Sequence, residues 1–173
     1  MELNNFNEAM FITKVNNIFI KYYSAIMLDE LDTVKHFVSE QVYNEGKNII
    51  NNYKANGYRQ MYDMLNVKDS KIRDIKENPD NFVITVYLES RYLDYQIDLD
   101  TGEFLSGNDK ERIQVNYLLE FTRKKDTKEQ SIARICPGCG NTIDVNNNGK
   151  CNYCGASYNQ KDYDWVLTKI TRI

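Results

Sequence analysis

All four cysteines of the chain stand in one stretch, CPGCGNTIDVNNNGKCNYCG, from Cys136 to Gly155. Cys136 and Cys139 form one C-x2-C pair, and Cys151 and Cys154 form a second. Each pair can grip a metal from a tight turn. Four thiolates together make a soft tetrahedral site that suits Zn²⁺. Gly140 and Gly155 each follow the second cysteine of a pair, where glycine lets backbone N–H groups turn toward the sulfurs. The spacing therefore predicts one structural zinc held by Cys136, Cys139, Cys151 and Cys154, with Thr142 to Val145 and Gly149-Lys150 forming a small hairpin between the knuckles. Metal binding of this kind contributes about 10–16 kcal/mol of apparent free energy, enough to shape a segment with almost no core. Four thiolates leave no open coordination position, which argues against catalytic zinc. Two matched knuckles are not a disulfide framework, and a redox C-x-x-C is usually single. Iron fits the same cage chemically.

A zinc ribbon raises the question of nucleic acid. The formal net charge of the chain is −3, and four thiolates around one zinc make it more negative. Arg123, Lys124, Lys125, Lys128 and Arg134 lead into the ribbon, but Asp126 and Glu129 dilute them and Lys150 is the one cation within the knuckles. Phosphate binding needs a basic surface, so nucleic-acid contact through the ribbon stays an alternative.

The ribbon needs a frame. Apolar residues Phe11, Val15, Ile18 or Phe19, Tyr22 and Ile26 recur at helical spacing and predict a helix from Phe6 to about Leu28. A second, shorter helix fits LDTVKHFV, with Leu31, Val34, Phe37 and Val38 inward. Ser39 caps a third carrying Val42, Ile49, Ile50 and Tyr53, and Asn56-Gly57 stops it. Beyond Tyr58 the pattern changes to strands: MLNVKDSKIRDIK, then NFVITVYLESRYLDYQIDL after the turn at Asn78-Pro79-Asp80-Asn81. Asp100-Thr101-Gly102 turns the chain into EFLSG, and Asn108-Asp109 precedes a strand from Ile113 to Arg123. Helices followed by a meander of strands indicate an α+β layer structure.

From Ile84 to Lys124, and again from Asp164 to Ile170, the sequence resembles the Tim44-like domain family, named for a subunit of the mitochondrial inner-membrane translocase and rich in bacterial relatives. The RYLDY stretch, the D-x-TGE turn, the x-SG loop, the strand ending in EFTR and a terminal W-x-L-x-x-I strand carry the resemblance, together with the helix pattern from Phe11 to Val42. The resemblance implies a cone-shaped fold like that of nuclear transport factor two: three N-terminal helices packed on a curved, mainly antiparallel sheet. It implies that the strand ending in EFTR pairs with the strand beginning at Trp165, so the zinc ribbon is inserted between the last two strands. The expected organisation is residues 1–130 for the first part of the cone, 131–160 for the ribbon and 161–173 for the last strand.

What the resemblance implies for function is non-catalytic docking or tethering, with a protein partner or a second copy of the chain. The ribbon is expected to expose Ile143, Val145, Tyr153 and Tyr158, because so small a module cannot bury them all. The cone fold also hosts acid–base enzymes and small-molecule pockets. His36, Asp94 and Tyr95 are the candidates for such chemistry, but alternation places Asp94 and Tyr95 on opposite faces of a strand, and Arg91 or solvent would receive the carboxylate. Tyr22, Tyr23, Tyr87, Tyr92, Tyr95 and Tyr117, among thirteen tyrosines, suit either a pocket or a core rim. Two lysines, Lys14 and Lys21, opposite the apolar face of the first helix leave anionic lipid contact as a weaker reading. No secretory signal is read at the N-terminus and no stretch is apolar enough to cross a bilayer, so the expected location is cytoplasmic, with membrane association through a partner as the alternative.

Overall fold

The computed structural model describes Leu3, residues 6–125, the backbone of residues 134–135 and 142–143, and residues 165–173. Its elements in chain order are α1 (Glu8–Leu28), a single 3-10 turn (Leu31–Val34), α2 (Glu40–Ala55), β1 (Tyr58–Glu77), β2 (Asn81–Asp98), β3 (Phe104–Lys124), the short β4 (Arg134–Ile135) and β5 (Thr142–Ile143), and β6 (Val166–Arg172).

Asn7 starts α1 by accepting from the Met10 N–H at 3.0 Å. The helix ends at Asp29, which takes the left-handed conformation. Phe11, Val15, Ile18, Phe19, Tyr22 and Ile26 are all buried, as their spacing predicts. Ser39 caps α2 through the Val42 N–H at 3.2 Å, and Gly57 supplies the positive φ after its end. Gly46 lets the two helices approach: a Cβ there would stand 2.9 Å from the Tyr22 hydroxyl, which itself donates to Val42 O at 2.7 Å.

The expected second helix is not one. Leu31, Val34, Phe37 and Val38 are buried as read from the sequence, but only Leu31–Val34 winds, as a 3-10 turn. The reason is tertiary. Val38 forms a parallel bridge with Leu167. The Leu167 N–H donates to Phe37 O at 3.1 Å, and Leu167 O accepts from the Ser39 N–H at 2.9 Å. A helix through Val38 would withdraw these groups from β6. Among the described residues two α-helices, not three, pack on the sheet, and this turn lies against them.

The sheet is antiparallel throughout, in the order β1-β2-β3-β6. β3 pairs with β6 from Tyr117↔Arg172 to Thr122↔Val166, the pairing expected of these two strands. Ile84, Val86, Leu88 and Tyr92 of β2 alternate inward beside Val115, Tyr117, Leu119 and Phe121 of β3. Three register shifts along β1–β2 and two along β2–β3 bend strands this long. β3 is one strand from Phe104 and does not restart at Ile113. Between Tyr92↔Ile113 and Asp94↔Asn108 it bulges. The Asn108 side chain shapes that bulge by accepting from the Lys110 and Glu111 N–H groups, each at 3.0 Å.

Gly107 lies just before that bulge with φ +96, opposite Tyr95. A Cβ there would fall 2.4 Å from Asp94 O and 2.5 Å from Tyr95 Cα, backbone atoms that cannot swing away. Gly107→Ala is therefore expected to destabilise the fold by about 2–4 kcal/mol, from steric overlap and the unfavourable φ together. Urea unfolding checks it: the midpoint should drop without a change of slope, and an unchanged midpoint would contradict the close approach.

Candidate functional site

The predicted ligands Cys136, Cys139, Cys151 and Cys154 lie outside the described residues. Their frame does not. On one side β3 runs to Lys124, and on the other Trp165 leads into β6. The two strands are joined at this end by backbone pairing at Thr122↔Val166 and by a hydroxyl contact between Thr122 and Thr168 at 2.9 Å. The Arg123 guanidinium lies over the rings of Phe82 and Trp165, at 5.7 and 5.0 Å from their centroids. Lys125 Nζ meets Glu77 Oε1 at 2.8 Å, and its N–H donates to Asp80 O at 2.9 Å. Of the basic approach read from the sequence, Arg123 and Lys125 thus make structural contacts at the root.

Trp165 belongs to the core. It is 6 % exposed and meets Phe11 edge-on at 5.3 Å and Phe6 at 6.3 Å. Beyond the root, β4 and β5 pair antiparallel, Arg134↔Ile143 and Ile135↔Thr142. These strands stand on either side of the first C-x2-C in the sequence. Thr142–Ile143 is thus paired with the segment before that knuckle, while residues 149–150, its expected partners, lie outside the described residues.

The tyrosines divide between core and surface. Tyr22, Tyr23, Tyr92 and Tyr117 are buried, and Tyr62 packs with them. Tyr23 meets Tyr62 at 5.0 Å and Tyr117 at 5.6 Å, and Tyr62 meets Tyr92 at 5.4 Å. Their hydroxyls are largely taken up internally: Tyr92 and Tyr117 bond each other at 3.0 Å, Tyr22 donates to Val42 O, and Tyr53 donates to Ile26 O at 2.9 Å. Burial raises every one of these phenols above its ordinary value. Tyr87 sits elsewhere, under the Arg73 guanidinium at 4.6 Å, and donates to Glu89.

The acid–base candidates are not brought together. Asp94 accepts from Gln60 Nε2 at 2.7 Å instead of meeting Arg91, whereas the Tyr95 hydroxyl donates to Asp63 Oδ2 at 3.1 Å. Alternation separates the neighbours, as read from the sequence. His36 is half-buried in the turn before α2.

Sequence reasoning missed one surface. Phe104 and Leu105 open β3 and are 48 % and 51 % exposed. The Phe104 ring stacks on Tyr95 at 6.2 Å with 30° between planes. Leu105 is the extra residue where the register shifts between Gln96↔Ser106 and Ile97↔Phe104. An available signal was the adjacency of two large apolar residues just after the Asp100-Thr101-Gly102 turn, outside the alternation that buries one residue in two.

A family model, the Tim44-like domain, matches residues 3–132. That span covers both helices and β1 to β3, and it stops before Cys136. The chain belongs to the Tim44-like domain family. No curated protein matches the sequence. Among solved structures, the intermembrane space region of chloroplast protein ARC6 is similar over 91% of this chain and 92% of that chain, with 12% identity and a TM-score of 0.44.

The interior of this Tim44-like domain makes its alkaline behaviour predictable. A phenol whose folded pKa lies above its unfolded value holds its proton more tightly in the fold. The associated stability is complete below about pH 10 and is lost as the pH climbs beyond it. Tyrosinate absorbance and tryptophan fluorescence followed together should show the buried tyrosines ionising only as the fold opens. Ionisation near pH 10 by all the tyrosines of a still-folded chain would contradict the packed cluster.

Proposed function

We propose that this Tim44-like domain is a non-catalytic docking module carrying one structural zinc on Cys136, Cys139, Cys151 and Cys154. The observation that carries the reading is the frame: a segment holding two C-x2-C pairs departs from and returns to neighbouring paired strands, β3 and β6. The donor set fits zinc by its chemistry, four thiols in two pairs. The antiparallel pairing of β4 with β5 on either side of the first pair also fits, since a knuckle sits where a chain doubles back. When bound, the metal supplies shape to a segment too small for its own core.

The docking surface of that module is its apolar set Ile143, Val145, Tyr153 and Tyr158, presented to a protein partner or to a second copy of the chain. The buried tyrosines favour this over a reaction in the concavity, because their hydroxyls pair with one another and with backbone carbonyls. Among the described residues no helix is long and apolar enough to cross a membrane.

Metal analysis of freshly purified protein should find one zinc per chain. Cys136→Ser should release it and abolish partner capture or self-association, while the unfolding of the helices and sheet shifts by less than about 1 kcal/mol. Ile143→Ser with Tyr153→Ser should weaken capture and keep the metal. Fresh protein without metal and with its cysteines in disulfides would sink the zinc assignment. Loss of metal or of the fold on replacing Ile143 and Tyr153 would make the ribbon a brace.

A further inference from the structure

An exposed apolar ledge lies at the other end of β2 from the root of the cysteine segment. Tyr95, Phe104 and Leu105 form a ledge, with Phe104 stacked on Tyr95 and with Phe104 and Leu105 about half exposed. Two such residues side by side at a hairpin end, one of them an extra residue in the strand, do not serve the core.

The stretch of chain that forms the ledge and its turn carries only acidic charges, up to Lys110, which follows Asp109 directly. From Leu93 to Asp109 the chain carries Asp94, Asp98, Asp100, Glu103 and Asp109, and no lysine, arginine or histidine. Asp94 turns to the opposite face and accepts from Gln60. Asp98, Asp100 and Glu103 build the turn that leads into Phe104, and the N–H groups of Thr101 and Asp100 hold the Asp98 carboxyl below its usual range. Asp109 acts electrostatically on the Tyr95 phenol, whose hydroxyl is already bonded to Asp63. On the facing strand, Arg59 donates to Met27 O at 2.5 Å and lies over the Tyr53 ring.

An aromatic and aliphatic ledge bordered by carboxylates selects its occupant by charge complementarity. An anionic membrane surface is repelled. An acidic peptide is repelled too. We propose that the Tyr95–Phe104–Leu105 ledge docks a cationic amphipathic segment of a protein partner, with its apolar side on the rings and its lysines or arginines toward Asp98, Asp100, Glu103 and Asp109. This rests on the docking reading but uses a surface separate from the cysteine module.

The test uses the full chain and a fluorescent lysine–leucine amphipathic peptide, with a glutamate–leucine peptide of the same pattern as control. Anisotropy should show binding of the cationic peptide alone, weakened by added salt. Phe104→Ser with Leu105→Ser should weaken it roughly tenfold, as should Asp100→Lys with Glu103→Lys. Urea midpoints should match the unaltered chain in both. No binding of the cationic peptide, equal binding of the two peptides, or binding untouched by either pair of substitutions overturns the proposal. So does flotation with phosphatidylserine vesicles, or self-association, that depends on Phe104 and Leu105. Partner capture through Ile143 and Tyr153 that persists while the cationic peptide is ignored removes the ledge alone. Loss of that capture with peptide binding intact removes the role of the ribbon alone.

Discussion

The backbone of Leu167 joins the three parts of this protein. Its N–H and C=O bond Phe37 O and the Ser39 N–H on one side, while β6 pairs with β3 on the other, Phe121 opposite Leu167. The side chain is fully buried. One residue therefore ties the link between the helices to the last strand, and the last strand to the sheet. Leaving those backbone groups unpaired in the interior would cost on the order of 1–3 kcal/mol each, so the chain must come back to this place wherever it has gone after Lys125. The cysteine segment occupies that excursion.

Much of the fold follows from the same constraint. Residues 35–39 stay out of a helix because β6 needs their backbone, and Ser39 is then positioned to cap α2. Trp165, one residue from the strand, completes an aromatic wall with Phe6, Phe11 and Phe121, and Arg123 lies over it. Away from this end the interior passes from phenylalanine to tyrosine. There the hydroxyls bond each other or the helix carbonyls, so aromatic bulk and polar satisfaction are met together.

Local signals were legible in the sequence; tertiary ones were not. The spacing of Phe11, Val15, Tyr22 and Ile26 and the caps at Ser39 and Gly57 report the helices, because these depend on nearest neighbours in the chain. LDTVKHFV shows helical burial without being a helix, since the competing partner, Leu167, lies far along the sequence. The Asn108 bulge was read as a break between strands, because the residue types that shape an Asx turn also end strands. Of the candidate sites, the separation of Asp94 from Tyr95 was readable from alternation alone. The Phe104–Leu105 ledge was not, because exposure on a strand depends on where the helices stop covering the sheet. The four cysteines remain an assignment from spacing and thiol chemistry. The cysteine segment leaves and rejoins the sheet at one end of β2, and the exposed Phe104–Leu105 pair stands at the other.

Amide hydrogen exchange at Leu167 tests the central claim most directly, measured on the full chain with and without a chelator. If the seam of β6 with β3 and with residues 37–39 closes the domain on its own, this amide exchanges only through global unfolding in both states, as slowly as the best-protected amides of β2. Fast exchange at Leu167 in the untreated chain would contradict the seam, and protection that disappears with the chelator would show instead that the cysteine segment holds the last strand in place.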